Sequence, residues 1–170
     1  MRIWLGVALG LLSANSALAG VQSATSSQMA LVYDVELVGA PSDEWKNLVD
    51  VGAWWSSSHT YSGEAKNLSL DVRPGGCWCE NWTGGGVEHA RVLMASPGKA
   101  LRIEGGFGPL QGMAVKATMT FTLKPAAGPT KTQLHLVYLV NGASESKLEA
   151  LAAPVDGVLT TQFGRLAALK

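Results

Sequence analysis

The chain has 170 residues, enough for one domain with a sizeable core, and its 13 basic residues balance 13 acidic ones. No basic cluster interleaves with aromatics, so the composition excludes a polyanion-binding surface and makes nucleic acid no partner. No apolar run reaches the roughly 20 residues that a membrane-spanning helix needs.

The chain opens on Met1-Arg2, an apolar run over 3–12, polar residues 13–16, and Ala17-Leu18-Ala19 before Gly20. One basic residue, a short apolar core and a small-x-small cleavage site predict a secretory signal peptide over 1–19. The mature protein is then periplasmic or secreted, with no membrane span. Residues 20–28 read as a polar tether and 29–170 as a single domain.

Leu31, Tyr33, Val35 and Leu37 alternate with Asp34 and Glu36, which predicts a strand with one buried face. Ser42 or Asp43 is placed to cap a helix that carries Trp45, Leu48 and Val49, with a short second helix over 51–55. Strand-like runs follow at 68–73, 77–82, 87–94 and 100–104, separated by Pro74-Gly75-Gly76, Thr83-Gly84-Gly85-Gly86 and Ser96-Pro97-Gly98. Val115, Ala117, Met119, Phe121 and Leu123 alternate with polar residues in the clearest strand, and 133–140 forms the last. Val155, Val158, Leu159, Gln162, Phe163, Leu166 and Leu169 then recur at helical spacing, with 148–152 an earlier turn kinked at Pro154. This order predicts an α+β fold: a curved antiparallel sheet of about six to seven strands around a long C-terminal helix, with two short helices after strand 1. The space between such a sheet and helix is a natural ligand cavity.

The most unusual segment is Cys77-Trp78-Cys79-Glu80-Asn81-Trp82, which turns into Val87-Glu88-His89-Ala90-Arg91. A four-residue hairpin loop would put Cys77, Cys79, Ala90, Val92 and Met94 on one face, and Trp78, Glu80, Trp82, His89 and Arg91 on the other. The small apolar face reads as the inner one, although a slip or bulge would exchange the two. With Glu80, His89 and Arg91 inward, a carboxylate beside a histidine could serve as a general base pair; outward, they form a solvated cross-strand ion pair. On a flat strand Cys77 and Cys79 share a face about 7 Å apart, which predicts no relaxed disulfide and leaves them weak candidates for a soft metal. The more ordinary role of such cysteines is as small buried hydrophobes. His59 reads as a solvated loop residue and His135 as outward-facing, and no cofactor-binding motif is present.

Several short pieces, taken in order, carry a family likeness: Trp54-Trp55, Val72-x-Pro74-Gly75-Gly76, Arg91-Val92, and Ser96-Pro97-Gly98-Lys99-Ala100-Leu101. Gly106-Phe107-Gly108-Pro109-Leu110-Gln111 and Val155-Asp156-Gly157-Val158-Leu159 continue it. Together they resemble the helix-grip fold of the START and pollen-allergen-like superfamily, SRPBCC. Within it they look like the branch named after the activator of the ninety-kilodalton heat-shock protein ATPase. The resemblance implies a cavity for a small hydrophobic molecule, in a superfamily of lipid carriers, hormone binders, cyclases and chaperone cofactors. The expected function is thus an exported, non-enzymatic binder or carrier of such a molecule, lipid included, with no cofactor. Trp54, Trp55, Phe107, Leu110, Met119, Phe121, Tyr138 and Phe163 are the expected cavity lining. A cyclase- or hydrolase-like enzyme using Glu80, His89 and Arg91 is the alternative, and soft-metal binding through Cys77 and Cys79 a second one.

Overall fold

A computed structural model describes residues 18–128 and 130–169. The segment read as a signal peptide lies outside them up to residue 17. In chain order the strands are β1 (Leu18–Ala24), β2 (Gln28–Val38), β3 (Leu68–Leu70), β4 (Cys77–Trp82), β5 (Gly85–Ser96), β6 (Ala100–Glu104), β7 (Lys116–Pro125) and β8 (Lys131–Asn141). The helices are α1 (Pro41–Val49), α2 (Val51–Trp54) and α3 (Leu148–Ala167). The strands form one antiparallel sheet in the order β1-β2-β8-β7-β6-β5-β4-β3.

Alternation explains the centre of this sheet. Met29, Leu31, Tyr33, Val35 and Leu37 of β2 are buried, as are Ala117, Met119, Phe121 and Leu123 of β7 and Leu134, Leu136, Tyr138 and Val140 of β8. One face of each strand is therefore core, and a one-residue slip would expose it. The polar partners point outward, where His135 Nδ1 lies 2.9 Å from Asp34 Oδ1.

Two parts of the sheet depart from the sequence reading. Residues 20–28 are not a tether, because β1 pairs with β2 from Leu18↔Asp34 to Ala24↔Met29. Its sequence shows no apolar alternation, but an edge strand is held by backbone N–H and C=O groups, which every residue type supplies. The strand begins two residues inside the segment read as a leader. The first helix also starts earlier than its capping residues suggested. Pro41 takes the first helical position, where its missing N–H is no loss, and no side chain caps the start.

α3 lies across β1 and β2. Leu148, Ala152, Leu159, Gln162, Phe163 and Leu166 are its buried side chains, while Val155 and Val158 are half-buried. Residues 148–152 and 155–167 form one helix that includes Pro154. Phe163 is packed on three sides: its ring centroid lies 5.3 Å from Tyr33, 6.1 Å from Trp54 and 6.2 Å from Phe121. Three polar contacts tie α3 to the rest. Tyr33 Oη donates to Asp156 Oδ1 at 2.8 Å, Ser56 N to Gln162 Oε1 at 2.7 Å, and Arg165 Nε to the Trp54 carbonyl at 2.7 Å.

Candidate functional site: a buried Glu–His pair beside an apolar cavity

The β4–β5 hairpin sets the site. Its loop is two residues long, Thr83 and Gly84, with Gly84 at φ +89°, and it pairs Trp82 with Gly85 rather than with Val87. The register runs Glu80↔Val87 and Cys79↔Glu88, then jumps to Trp78↔Ala90. His89 is thus the extra residue of a β-bulge. A bulge re-aims the side chains around it, and here His89 and Ala90 are both buried although they are consecutive. The two expected faces are mixed accordingly: Trp78, Glu80, His89, Ala90 and Val92 point inward. Cys77 and Cys79 are only half-buried, and Arg91 is exposed.

This brings together two of the three candidate catalytic residues and separates the third. Glu80 is fully buried, and its Oε2 lies 3.1 Å from His89 Nε2. The Tyr61 backbone N–H donates to Oε2 at 3.0 Å and that of Ser62 donates to Oε1. Burial alone would raise the Glu80 carboxyl, but the donors from Ser62, Tyr61 and His89 outweigh it and hold the group below its ordinary range. Burial pulls the His89 imidazolium down, and the adjoining carboxylate opposes this without reversing it. The stable state is a carboxylate beside a neutral imidazole. Arg91 instead turns outward, donating to the Gly75 carbonyl at 3.0 Å and pairing with Glu88. It has no part in the buried pair.

Both shifts make acid destabilising. A folded pKa below the unfolded one gives stability that is complete above the unfolded value and fades as pH falls toward the folded value. For His89 the fall begins near the ordinary histidine pKa of about 6.5, and for Glu80 near about 4.3. The urea midpoint should therefore decline in two stages on acidification. His89→Phe should flatten the upper stage and leave the lower one; an unchanged upper stage would mean that His89 is not held neutral.

The His89 ring forms part of the wall of a cavity of about 300 Å³ under the middle of α3. Trp55, Phe107 and Tyr138 line it from the sheet side, and Pro154, Val155, Val158 and Leu159 from the helix. His59, Thr60, Tyr61, Gly108 and Pro109 stand around it. Aromatic rings continue behind this wall: Phe107 lies 5.5 Å from Trp55 and 5.1 Å from Trp78, and it stacks on His89 at 5.9 Å with 7° between planes. The loop that carries Phe107 passes tightly over the bulge. A Cβ on Gly105 would collide with the His89 carbonyl, so only glycine fits there.

Of the expected lining residues, Trp55, Phe107 and Tyr138 border the cavity. Trp54, Leu110, Met119, Phe121 and Phe163 are not among its lining and lie in the packed core. Parity distinguishes core from surface, but not solid core from core beside a void. Val158 and Leu159 were visible as helix-stripe residues, whereas Thr60, Tyr61 and Pro109 carried no signal for a cavity wall. Nor could any side-chain pattern reveal that two backbone N–H groups at 61 and 62 hold Glu80.

No family model matches the chain, and no curated protein does. Solved structures do. Protein Ms6760 from Mycobacterium smegmatis is 15% identical, with a TM-score of 0.60 over 90% of this chain and 96% of that one. Norcoclaurine synthase from Thalictrum flavum, a point mutant in complex with a transition-state analogue, is 12% identical, with a TM-score of 0.54 over 86% and 95%. The conserved protein EF2215 of unknown function from Enterococcus faecalis is 12% identical, with a TM-score of 0.56 over 89% and 74%. The chain adopts a helix-grip fold. At such identities the likeness fixes the fold and leaves function to the site.

In this helix-grip chain the expectation for the two cysteines is corrected. Cys77 and Cys79 form a disulfide, with Cα atoms 5.3 Å apart. The expected spacing assumed a flat strand. The ladder breaks between Trp78 and Cys79, so β4 is free to contract there to a separation that suits a disulfide. With both sulfurs joined, neither is a thiolate able to ligate a soft ion, and the metal alternative has no ligands here.

Proposed function

We propose that this chain is an exported binder or carrier of a small apolar molecule held between the sheet and the middle of α3. The observation that supports this is the cavity itself. Its volume of about 300 Å³ is at the lower end of the roughly 300–1,000 Å³ usual for small-molecule sites, and Trp55, Phe107, Val155, Val158 and Leu159 make it apolar. The likeness to the heat-shock ATPase activator branch contributes motifs at Trp54-Trp55 and 155–159, of which Trp55 and the helix segment border this cavity. Export rests on the pattern of residues 1–19 and would keep the protein from a cytosolic chaperone.

The first test is native mass spectrometry of protein purified from its own source, which should reveal a co-purified small molecule. The second needs no known ligand. N-phenyl-1-naphthylamine, an apolar fluorescent probe, should bind the wild type, and Val158→Phe should weaken it at least tenfold by filling the cavity from the helix side. Unchanged probe binding in Val158→Phe would place the binding elsewhere and overturn the cavity reading.

A catalytic reading has one specific observation in its favour, the buried Glu80–His89 pair at the wall. It would use those two residues without Arg91.

A further inference from the structure

We propose that the cavity recognises a phenol, an aromatic molecule whose hydroxyl donates a hydrogen bond to Nδ1 of His89. This deepens the binding reading above and rests on it.

The argument follows the hydrogens. An ionised carboxylate has only acceptors, so the 3.1 Å hydrogen bond between Glu80 Oε2 and His89 Nε2 requires the hydrogen to sit on Nε2. Neutral imidazole carries one hydrogen, which leaves Nδ1 with a bare lone pair. That atom is buried and has no partner among the described residues. Buried polar atoms without partners are rare in folded proteins and call for an explanation. The His89 ring is 5% exposed and borders the cavity.

The hydroxyls around the cavity point the same way. Thr60 Oγ1 donates to the Ser57 carbonyl at 2.8 Å, Tyr138 Oη to the Gly105 carbonyl at 3.3 Å, and Tyr61 Oη to the Gly108 carbonyl at 3.4 Å. Their hydrogens are committed, and what each can still offer is an oxygen lone pair. Apart from His59, whose imidazole carries an N–H, the side-chain polar atoms that border this apolar chamber are left to accept, which suits a ligand that donates. The rings of Trp55, Phe107 and His89 favour an aromatic body for that ligand. Burial also keeps His89 neutral, which preserves the acceptor at ordinary pH.

The test compares 2-naphthol with 2-methoxynaphthalene, the same aromatic body without the donor. Wild-type protein should bind 2-naphthol about tenfold more tightly, the size of one well-made buried hydrogen bond. His89→Phe should bind both compounds alike and retain the ether. Nitrogen NMR of histidine-labelled wild type provides a readout independent of any variant: the His89 Nδ1 signal should move with 2-naphthol and stay with the ether. Equal binding of the two by the wild type, or an Nδ1 signal that ignores bound 2-naphthol, would overturn the proposal while leaving the cavity reading intact. Binding of neither compound would overturn both.

Discussion

Phe163→Ala is expected to lower the free energy of unfolding by about 3–5 kcal/mol, a large share of the roughly 5–15 kcal/mol that holds a small domain together. The ring is 2% exposed and touches Tyr33, Trp54 and Phe121, so it joins α3 to β2, α2 and β7 at once. Truncation would leave a hole among three rigid aromatic rings, which cannot collapse to fill it. Urea titration measures the loss, and a value under about 1 kcal/mol would mean that the ring is not packed as described. The residue also discriminates between two uses of the helix. Phe163 lies outside the cavity lining, so saturating N-phenyl-1-naphthylamine should stabilise the mutant as much as the wild type, by about 2.7 kcal/mol at a hundred times the dissociation constant. A smaller gain in the mutant would bring Phe163 back into the binding site.

Glu80→Ala is expected to cost about 3 kcal/mol, because it orphans three donors at once. They are the N–H groups of Tyr61 and Ser62 and the Nε2–H of His89. Glu80→Gln should cost less, about 1–2 kcal/mol, since the amide can be turned so that only the Ser62 N–H meets an NH₂ while its oxygen still accepts from Tyr61 and His89. An alanine variant as stable as the wild type would show that water replaces the carboxylate without loss, and that the buried pair does not organise the loop at 60–62.

The two variants probe features of very different legibility. The face of α3 was visible as a three-four spacing, and the β7 stripe as strict alternation, because burial repeats with the backbone period. The hairpin was not visible in this way. Its bulge depends on which residue the ladder skips, and neither composition nor parity marks His89 as that residue. From the single skip follow the inward turn of Ala90 and Val92, the outward turn of Arg91 and the break in the β4 ladder where Cys77 approaches Cys79. The disulfide was judged against an ideal strand, and the strand is not ideal there. β1 escaped notice for another reason: backbone pairing leaves no trace in a stretch such as Gly20-Val21-Gln22-Ser23. The cavity was expected between the sheet and the helix but not located along the helix, since the stripe residues of its two halves look alike.

The helix is weakest where those halves meet. Pro154 has no N–H to give to the carbonyl of Ala150, and Gly157 adds backbone freedom one turn later; both are weak helix formers, by about 3 and 1 kcal/mol relative to alanine. Leu148 and Ala152 anchor its first turns in the core and Leu159, Phe163 and Leu166 its second half, whereas the middle around Pro154 to Val158 borders the cavity and is held to β2 through Tyr33 and Asp156. Local unfolding takes the least stable path. The roof of the chamber is therefore its own doorway: the helix gives most readily at its middle, between two anchored ends, and the Tyr33–Asp156 hydrogen bond is the bolt that must slide before anything the size of the cavity passes in or out.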